Sequence, residues 1–194
     1  MKKLILQEYI SVDGFCADRD KTTGFFDGTY HTLGKDVDAH QGAFTESIDL
    51  ILFGANTYKI FAEYWPKAKK EDSHVTEAMN SIPKIVFSKS LKKVQWGDYG
   101  NISLTADDAV THIKSLRKKE DKNIIVWGSL SLAQSLLKAN LFDEIQLITV
   151  PVAIGRGYKL FPEEYKLFSL KLTSYKTFYK GEILHIYQPD QQAE

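Results

Sequence analysis

Residues 124–161, IIVWGSLSLAQSLLKANLFDEIQLITVPVAIGRGYKLF, put three structural devices into one run. The apolar residues 124–127 read as a buried strand. Gly128 follows, and then Ser129 and Ser131, residue types that suit the opening of a helix. Glycine lets a backbone come close, serine caps a helix, and the unpaired N–H groups of a helix start favour a phosphate. The local chemistry is that of an anion site and points to a nucleotide-binding protein. Beyond the helix, residues 142–150 read as another strand, and Pro151 with Gly155 and Gly157 forces an irregular connection after it.

Outward from this stretch, a chain of 194 residues, 43% of them hydrophobic, is expected to form one domain over residues 1–188 with a polar tail at 189–194. Twenty-five basic residues balance 25 acidic ones, so no general attraction to nucleic acid or to an anionic membrane is expected, and a small ligand is favoured. The N-terminus, MKKLILQEYISVDG, starts basic, but Gln7 and Glu8 break its apolar run before signal-peptide length, so it reads as a first strand. A single cysteine, Cys16, excludes an internal disulfide and a cysteine cluster for zinc and makes the cytoplasm the default compartment. The five histidines show no paired ligand spacing, so no metal site is expected.

Strands are predicted at 4–10, 50–53, 85–87, 102–104, 124–127, 142–150, 170–179 and 183–187, the last two joined by a turn at Lys180-Gly181. Helices are predicted at 36–47, with Val37, Ala43 and Phe44 inward, at 57–63 up to a break near Pro66, at 107–119 with Ala109, Ile113 and Leu116 on one face, and after Gly128. Residues 15–33 form a long loop over a site, and 67–73 a charged, solvated one. This alternation, closed by antiparallel strands, predicts an α/β fold with a mixed sheet.

In open parallel sheets ligands bind beyond the carboxyl ends of the strands, and three strands end suitably: at Gly54-Ala55-Asn56-Thr57, at Ser88-Lys89-Ser90 and at Gly128-Ser129-Leu130-Ser131. One dinucleotide spans all three. Each alone is ordinary turn and capping chemistry; together they favour the nucleotide. Lys89, Lys92 and Lys93 suit a ribose 2′-phosphate, although a lysine cluster is also a plain solvated turn. The G-x-G-x-x-G fingerprint is absent after the first strand, and Gly155-Arg156-Gly157 leads into no helix. Asp13 is expected to organise its own turn, Asp143-Glu144 to fix a strand start, Arg117-Lys118-Lys119 to be the polar end of a helix, and Cys16 to be a spectator. Phe25, Tyr64 and Trp65 suit stacking on a planar substrate or, more simply, the core.

The combination Trp127-Gly128-Ser129, Leu136-Leu137, Leu141-Phe142-Asp143-Glu144, Pro151-Val152, Gly155-x-Gly157 and Leu160-Phe161 resembles dihydrofolate reductase-like proteins related to the reductase domain of bacterial riboflavin biosynthesis. Ser11-Val12-Asp13-Gly14, Gly54 with Thr57-Tyr58, and residues 84–88 extend the likeness over nearly the whole chain. The resemblance implies a dihydrofolate reductase-like fold: a mostly parallel mixed sheet with antiparallel C-terminal strands, flanked by helices. It also implies NADPH as cofactor, hydride transfer to a small nitrogen heterocycle, sugar-like or carbonyl substrate, and a homodimer. Carried over residue by residue, Gly54, Asn56 and Thr57 would face the cofactor phosphates and Ser88 and Lys89 the 2′-phosphate. Gly128, Ser129, Leu130 and Ser131 would face the pyrophosphate, with Tyr9 and Ala17 near the nicotinamide.

Two departures stand out. Ala55 replaces an arginine common in the family, and Val126 replaces a substrate-contacting glutamate of the riboflavin-pathway reductases, whose natural substrate is therefore not expected. Asp38 falls where dihydrofolate reductases place a proton-relaying carboxylate, for which an apolar cleft would raise its pKa; in the first turn of a helix it also simply suits the dipole. Two other classes of function stay open: a nucleotide-binding protein without turnover, and a homodimeric scaffold with residues 142–150 and the terminal strands at its interface.

Overall fold

Side chains at alternate positions of each strand divide between two cores, with the sheet between them. The computed structural model describes residues 3–117, 123–161 and 169–190. In chain order these form β1 (Leu4–Ser11), β2 (Ala17–Asp18), α1 (Lys35–Thr45), β3 (Ile48–Gly54), α2 (Ala55–Tyr64), α3 (Thr76–Ser81), β4 (Lys84–Phe87) and β5 (Ile102–Thr105). There follow α4 (Ala109–Leu116), β6 (Asn123–Trp127), α5 (Leu130–Lys138), β7 (Glu144–Val150), β8 (Gly157–Tyr158), β9 (Leu170–Thr177) and β10 (Ile183–Pro189). Eight strands make one sheet in the order β5-β4-β3-β6-β1-β7-β10-β9, while β2 pairs with β8. From β5 to β7 neighbours run parallel; β10 is antiparallel to β7 and to β9. This is the mixed sheet that the alternation of runs predicts.

On one face Leu4 and Leu6 of β1, Leu52 of β3 and Val126 of β6 pack under Leu132 and Leu136 of α5 and Ile113 of α4. On the other, Ile5, Ile51, Phe53 and Trp127 pack with Met79 of α3 and Phe61 of α2. Val37 of α1 meets Ile148 and Leu184 further along that face. Each such aliphatic side chain contributes roughly 1.5–3 kcal/mol by burial, so the layering follows from the strand pattern alone.

Helix α1 departs from the expected inward face. Val37 is buried, but its companions are Gln41 and Thr45, and Ala43 is exposed. The cause lies underneath, where β1 and β7 present amides. Gln41 and Trp127 both donate to Gln7 Oε1 at 2.6 Å, Gln7 donates to Gln146 at 2.6 Å, and Gln146 donates to Glu144 at 2.6 Å. Lys3 closes the chain on the other oxygen of Glu144 at 2.6 Å. An apolar residue at position 41 would take away one of the two donors to the buried Gln7 Oε1.

Helix α2 begins two residues earlier than predicted, which puts Asn56 and Thr57 in its first turn, and it ends in a 3₁₀ turn, Trp65–Lys67, around Pro66. Helix α3 was not predicted, and a further 3₁₀ turn, Lys70–Asp72, lies within the charged loop. Helix α4 is capped by Asp108, whose carboxylate accepts the Thr111 N–H at 2.9 Å; Asp107 instead takes the His112 ring. Arg117 pairs with Asp143 at 2.5 Å, and Asp143 accepts the Leu4 N–H at 2.7 Å, so the predicted strand start is tied to β1 and to α4 together. Lys118 and Lys119 lie outside the described residues. Strand β10 runs to Pro189, one residue into the predicted tail, of which 191–194 lie outside the described residues.

Residues 15–33 are less open than predicted. Ala17 and Asp18 pair with Tyr158 and Gly157. Asp13 does not stay within its own turn: besides the Ser11 hydroxyl at 2.6 Å it accepts the N–H groups of Ile154 at 3.1 Å and Gly155 at 2.7 Å. These bonds hold its carboxyl below the usual range, the Ser11 hydroxyl contributing most. Among the described residues no helix is long and apolar enough to cross a membrane.

Candidate functional site

The carboxyl ends of β4, β3, β6 and β1 lie in that order along one edge of the sheet, and most of the predicted site residues follow them. Gly54 ends β3 and serves as N-cap of α2. Gly128 follows β6 with φ +60°, and Ser129 behind it is also left-handed, with φ 64° and ψ 55°. These dihedrals turn the chain sharply enough to start α5 directly above the strand. They cost an L-residue about 1–2 kcal/mol, which glycine avoids.

Ser129 does not cap its helix, as the sequence suggests; no side-chain cap bond is made at that end of α5. Its hydroxyl instead accepts the buried Gly54 N–H at 2.7 Å, and its own N–H donates to Thr57 Oγ1 at 2.8 Å. A Cβ on Gly128 would sit 3.0 Å from the Thr57 side chain. Thus Gly54, Thr57, Gly128 and Ser129 touch, and the starts of α2 and α5, on opposite faces of the sheet, are laced together. Asn56 and Ser131 are exposed beside them and Leu130 is half-buried. Because the Ser129 and Thr57 oxygens are engaged inward, an anion here would be held by the first backbone N–H groups of the two helices, which have no intrahelical partner. This donor set fits a pyrophosphate.

One strand outward, Ser88 Oγ accepts the N–H groups of Ser90 at 3.2 Å and Leu91 at 3.1 Å, so that hydroxyl closes a turn. Lys89 is exposed on that turn. In the other direction Tyr9 stacks on Phe26 with ring centroids 4.5 Å apart, bonds to Gln41, and has its phenol pushed up by burial. Ala17 lies in the β2–β8 pair above the carboxyl end of β1. Between the segment 18–30 and the connection after β7 lies a cleft of about 420 Å³ bordered by Asp18, Arg19, Phe25, Tyr30 and Arg156. Of the three candidate stacking aromatics, Phe25 is buried, Trp65 packs on Phe61, and Tyr64 is exposed away from this cleft.

Asp38 differs most from expectation. Its carboxylate accepts the Ser73 hydroxyl at 2.5 Å, the His74 N–H at 3.0 Å and the His74 ring at 2.6 Å. Burial works to raise its pKa, but those bonds outweigh it and hold the carboxyl below its ordinary value, the reverse of the shift expected of a proton relay. Cys16 is buried and its thiol pushed far up by desolvation, as a spectator's would be.

Two carboxylates escaped the sequence reading. Glu182, fully buried, accepts His31 Nε2 and the Gly34 N–H, each at 2.9 Å, and joins the long loop to the β9–β10 turn. Burial alone would raise it, yet the His31 and Gly34 bonds keep it below the usual range. Glu8 is 7% exposed on β1, and its Oε1 has no hydrogen-bond partner among the described residues. Desolvation pushes its carboxyl up to about 8. A signal for it existed: Leu4, Leu6, Glu8 and Ile10 recur at period two, which sets one carboxyl on an otherwise apolar stripe.

The fold, an eight-stranded mixed sheet flanked by helices, is that of the dihydrofolate reductase-like proteins. The model of the RibD C-terminal domain matches residues 2–184, and the chain belongs to that family. It is 25% identical over 188 residues to YyaP of Bacillus subtilis (strain 168), an uncharacterized protein, covering 96% of this chain and 94% of the relative. YwjB of the same strain, also uncharacterized, is 23% identical over 184 residues, covering 95% and 97%. Among solved structures, a putative riboflavin biosynthesis protein from Shewanella sp. PV-4 superposes with a TM-score of 0.79 at 21% identity, covering 97% of this chain and 99% of the other. Dihydrofolate reductase from Enterococcus faecalis, complexed with NADP(H) and RAB-propyl, gives 0.62 at 12% identity, with 97% of each chain covered.

Proposed function

We propose that the protein is an NADPH-dependent reductase that delivers hydride to a small nitrogen heterocycle or carbonyl compound in the cleft beneath residues 18–30. The observation that carries this reading is the lacing of the α2 and α5 starts through Gly54, Ser129 and Thr57, which sets side by side two helix ends whose first N–H groups lack intrahelical partners. Membership of the RibD C-terminal domain family and the reductases among its structural neighbours support it. The cofactor would supply the hydride. The residues proposed to hold it are Gly54, Asn56 and Thr57 at the phosphates, Gly128 to Ser131 at the pyrophosphate, Ser88 and Lys89 at the 2′-phosphate, and Tyr9 and Ala17 at the ring end. Since the Ser88 and Ser129 hydroxyls and the Ser129 N–H are engaged, these serines act through the turns they shape.

Asp38 is assigned to fixing α1 against residues 73–74 rather than to proton transfer. The proposed partner besides substrate is a second copy of the chain. Leu172 and Tyr175 of β9 are 47% and 67% exposed, beside His185 and Tyr187 of β10, in a strand that has one neighbour in the sheet. Sedimentation at about twice 22.1 kDa, reduced to one copy by Tyr175→Glu, is the expected result.

Titration of the purified protein with NADPH and with NADH, followed by tryptophan fluorescence, tests the nucleotide reading. NADPH is expected to bind at least tenfold tighter, with the difference lost in Lys89→Ala; failure to bind either nucleotide overturns it. Oxidation of NADPH with dihydrofolate, pyrimidinone ribosyl compounds and small carbonyls then separates a reductase from a nucleotide sensor.

A further inference from the structure

Among the described residues, the sheet face under α5 holds a buried carboxyl that nothing described above employs. Glu8 follows Leu4 and Leu6 on that face, and the parallel register that pairs Gln7 with Trp127 sets Glu8 level with Gly128, where α5 begins to turn away. On its other side β7 offers Leu147. Cys16 packs in the same core cluster as Leu4 and Leu6, and next to Cys16 is Ala17 in the β2–β8 pair. Burying a carboxyl with an unmatched oxygen is unfavourable in the absence of compensation, so such a group is a reservoir that a ligand can relieve. Among the described residues no Lys, Arg or His contributes to its acidity; desolvation is the cause, and at neutral pH the group keeps its proton.

We propose that Glu8 is the proton donor of the reductase site. This rests on the nucleotide reading above. In the reaction, the carbon of a C=N or C=O bond receives hydride from a dihydronicotinamide nucleotide, which is oxidised; the π pair moves to the heteroatom, and the heteroatom takes the carboxyl proton. Glu8 is left as a carboxylate and recovers its proton from water. Hydride and proton together reduce the bond by two electrons, with no further co-reactant. The neutral carboxyl suits the task better than Asp38, which is held ionised by Ser73 and His74.

The test uses the charge of the nicotinamide ring, which is positive when oxidised and neutral when reduced. In protein labelled with glutamate carrying ¹³C at the side-chain carboxyl, the Glu8 resonance, identified by its loss in Glu8→Gln, is titrated from pH 5 to 10 with saturating NADP⁺ and with NADPH. Glu8→Met serves for the identification if Glu8→Gln does not fold. A carboxyl at the ring end should titrate at least one pH unit lower with NADP⁺ than with NADPH, because a cation a few ångströms away favours the carboxylate. If both nucleotides quench tryptophan fluorescence and the two midpoints coincide, the proton-donor role is overturned while the nucleotide reading stands. If neither nucleotide binds, both fall together.

Discussion

Ser129 shows how far a side chain's work can differ from its type. Serine before a helix ordinarily caps that helix; here its oxygen crosses to β3 and takes the Gly54 N–H. Ser129→Ala removes that acceptor and leaves a buried donor unmatched, which should cost about 1–3 kcal/mol in unfolding free energy and weaken NADPH several-fold. Chemical denaturation and fluorescence titration measure the two losses. Asp38→Asn should instead leave NADPH affinity unchanged while lowering stability at pH 7. The folded carboxyl titrates below its ordinary value, so its contribution is present above pH 3.8 and lost as the pH falls through the depressed folded value. The gap between wild type and Asp38→Asn, read by thermal melts, should therefore close in acid.

At the scale of elements, the chain's own patterning announced the main layers. Runs such as residues 50–53 and 124–127 are apolar because they are covered on both faces, and the glycines and serines behind them mark the turns where a ligand would sit. Helix α3 was hidden because six residues, TEAMNS, are too few to show a period. The inward side of α1 was misread because its companion is a buried amide chain, and Gln41 looks like a surface residue until Gln7 and Gln146 are known to lie beneath it. Glu8 was passed over because a polar residue in a strand reads as the solvent side, although its parity with Leu4 and Leu6 said otherwise. The β2–β8 pair was illegible for a similar reason: two residues carry no alternation, and the pairing depends on Gly157. A Cβ there would overlap the Ala17 carbonyl oxygen, a backbone atom that cannot swing aside. Gly157→Ala should therefore release the pair, speed tryptic cleavage after Arg19 and Lys21 in limited proteolysis, and spare the phosphate end of the site.

For the whole molecule, burial governs the response to pH. Glu8, Cys16 and Tyr9 are all pushed up by desolvation, so each keeps its proton longer when folded and contributes stability that is lost as pH rises, from above 4.5 for Glu8, 9.0 for Cys16 and 10.0 for Tyr9. Lys84, buried over Trp96 and pushed down to about 8, works the other way between there and 10.5. Asp13, Asp18 and Asp38, held below 3.8, set the acid limit. Stability should accordingly be highest near pH 4 to 5 and decline towards pH 8, at about 1.4 kcal/mol per pH unit for the one proton that Glu8 retains, and the melting temperature should fall with it. Glu8→Gln should flatten this limb; a melting temperature that stays level from pH 5 to 8 in the wild type would falsify the assignment of Glu8 as neutral.

The lacing of α2 to α5 also bears on how such a protein diversifies. Its bonds join helices on opposite faces of the sheet, so the two helix starts proposed to seat the phosphates are tied to each other, and any variant that kept the proposed nucleotide would have to keep both. The cleft beside Phe25 and Arg156 is built from a different part of the chain, the loop after β1 and the connection after β7. On the proposed function, substitutions there would retune what is reduced without disturbing what does the reducing, and selectivity would drift while affinity for the nucleotide was inherited intact.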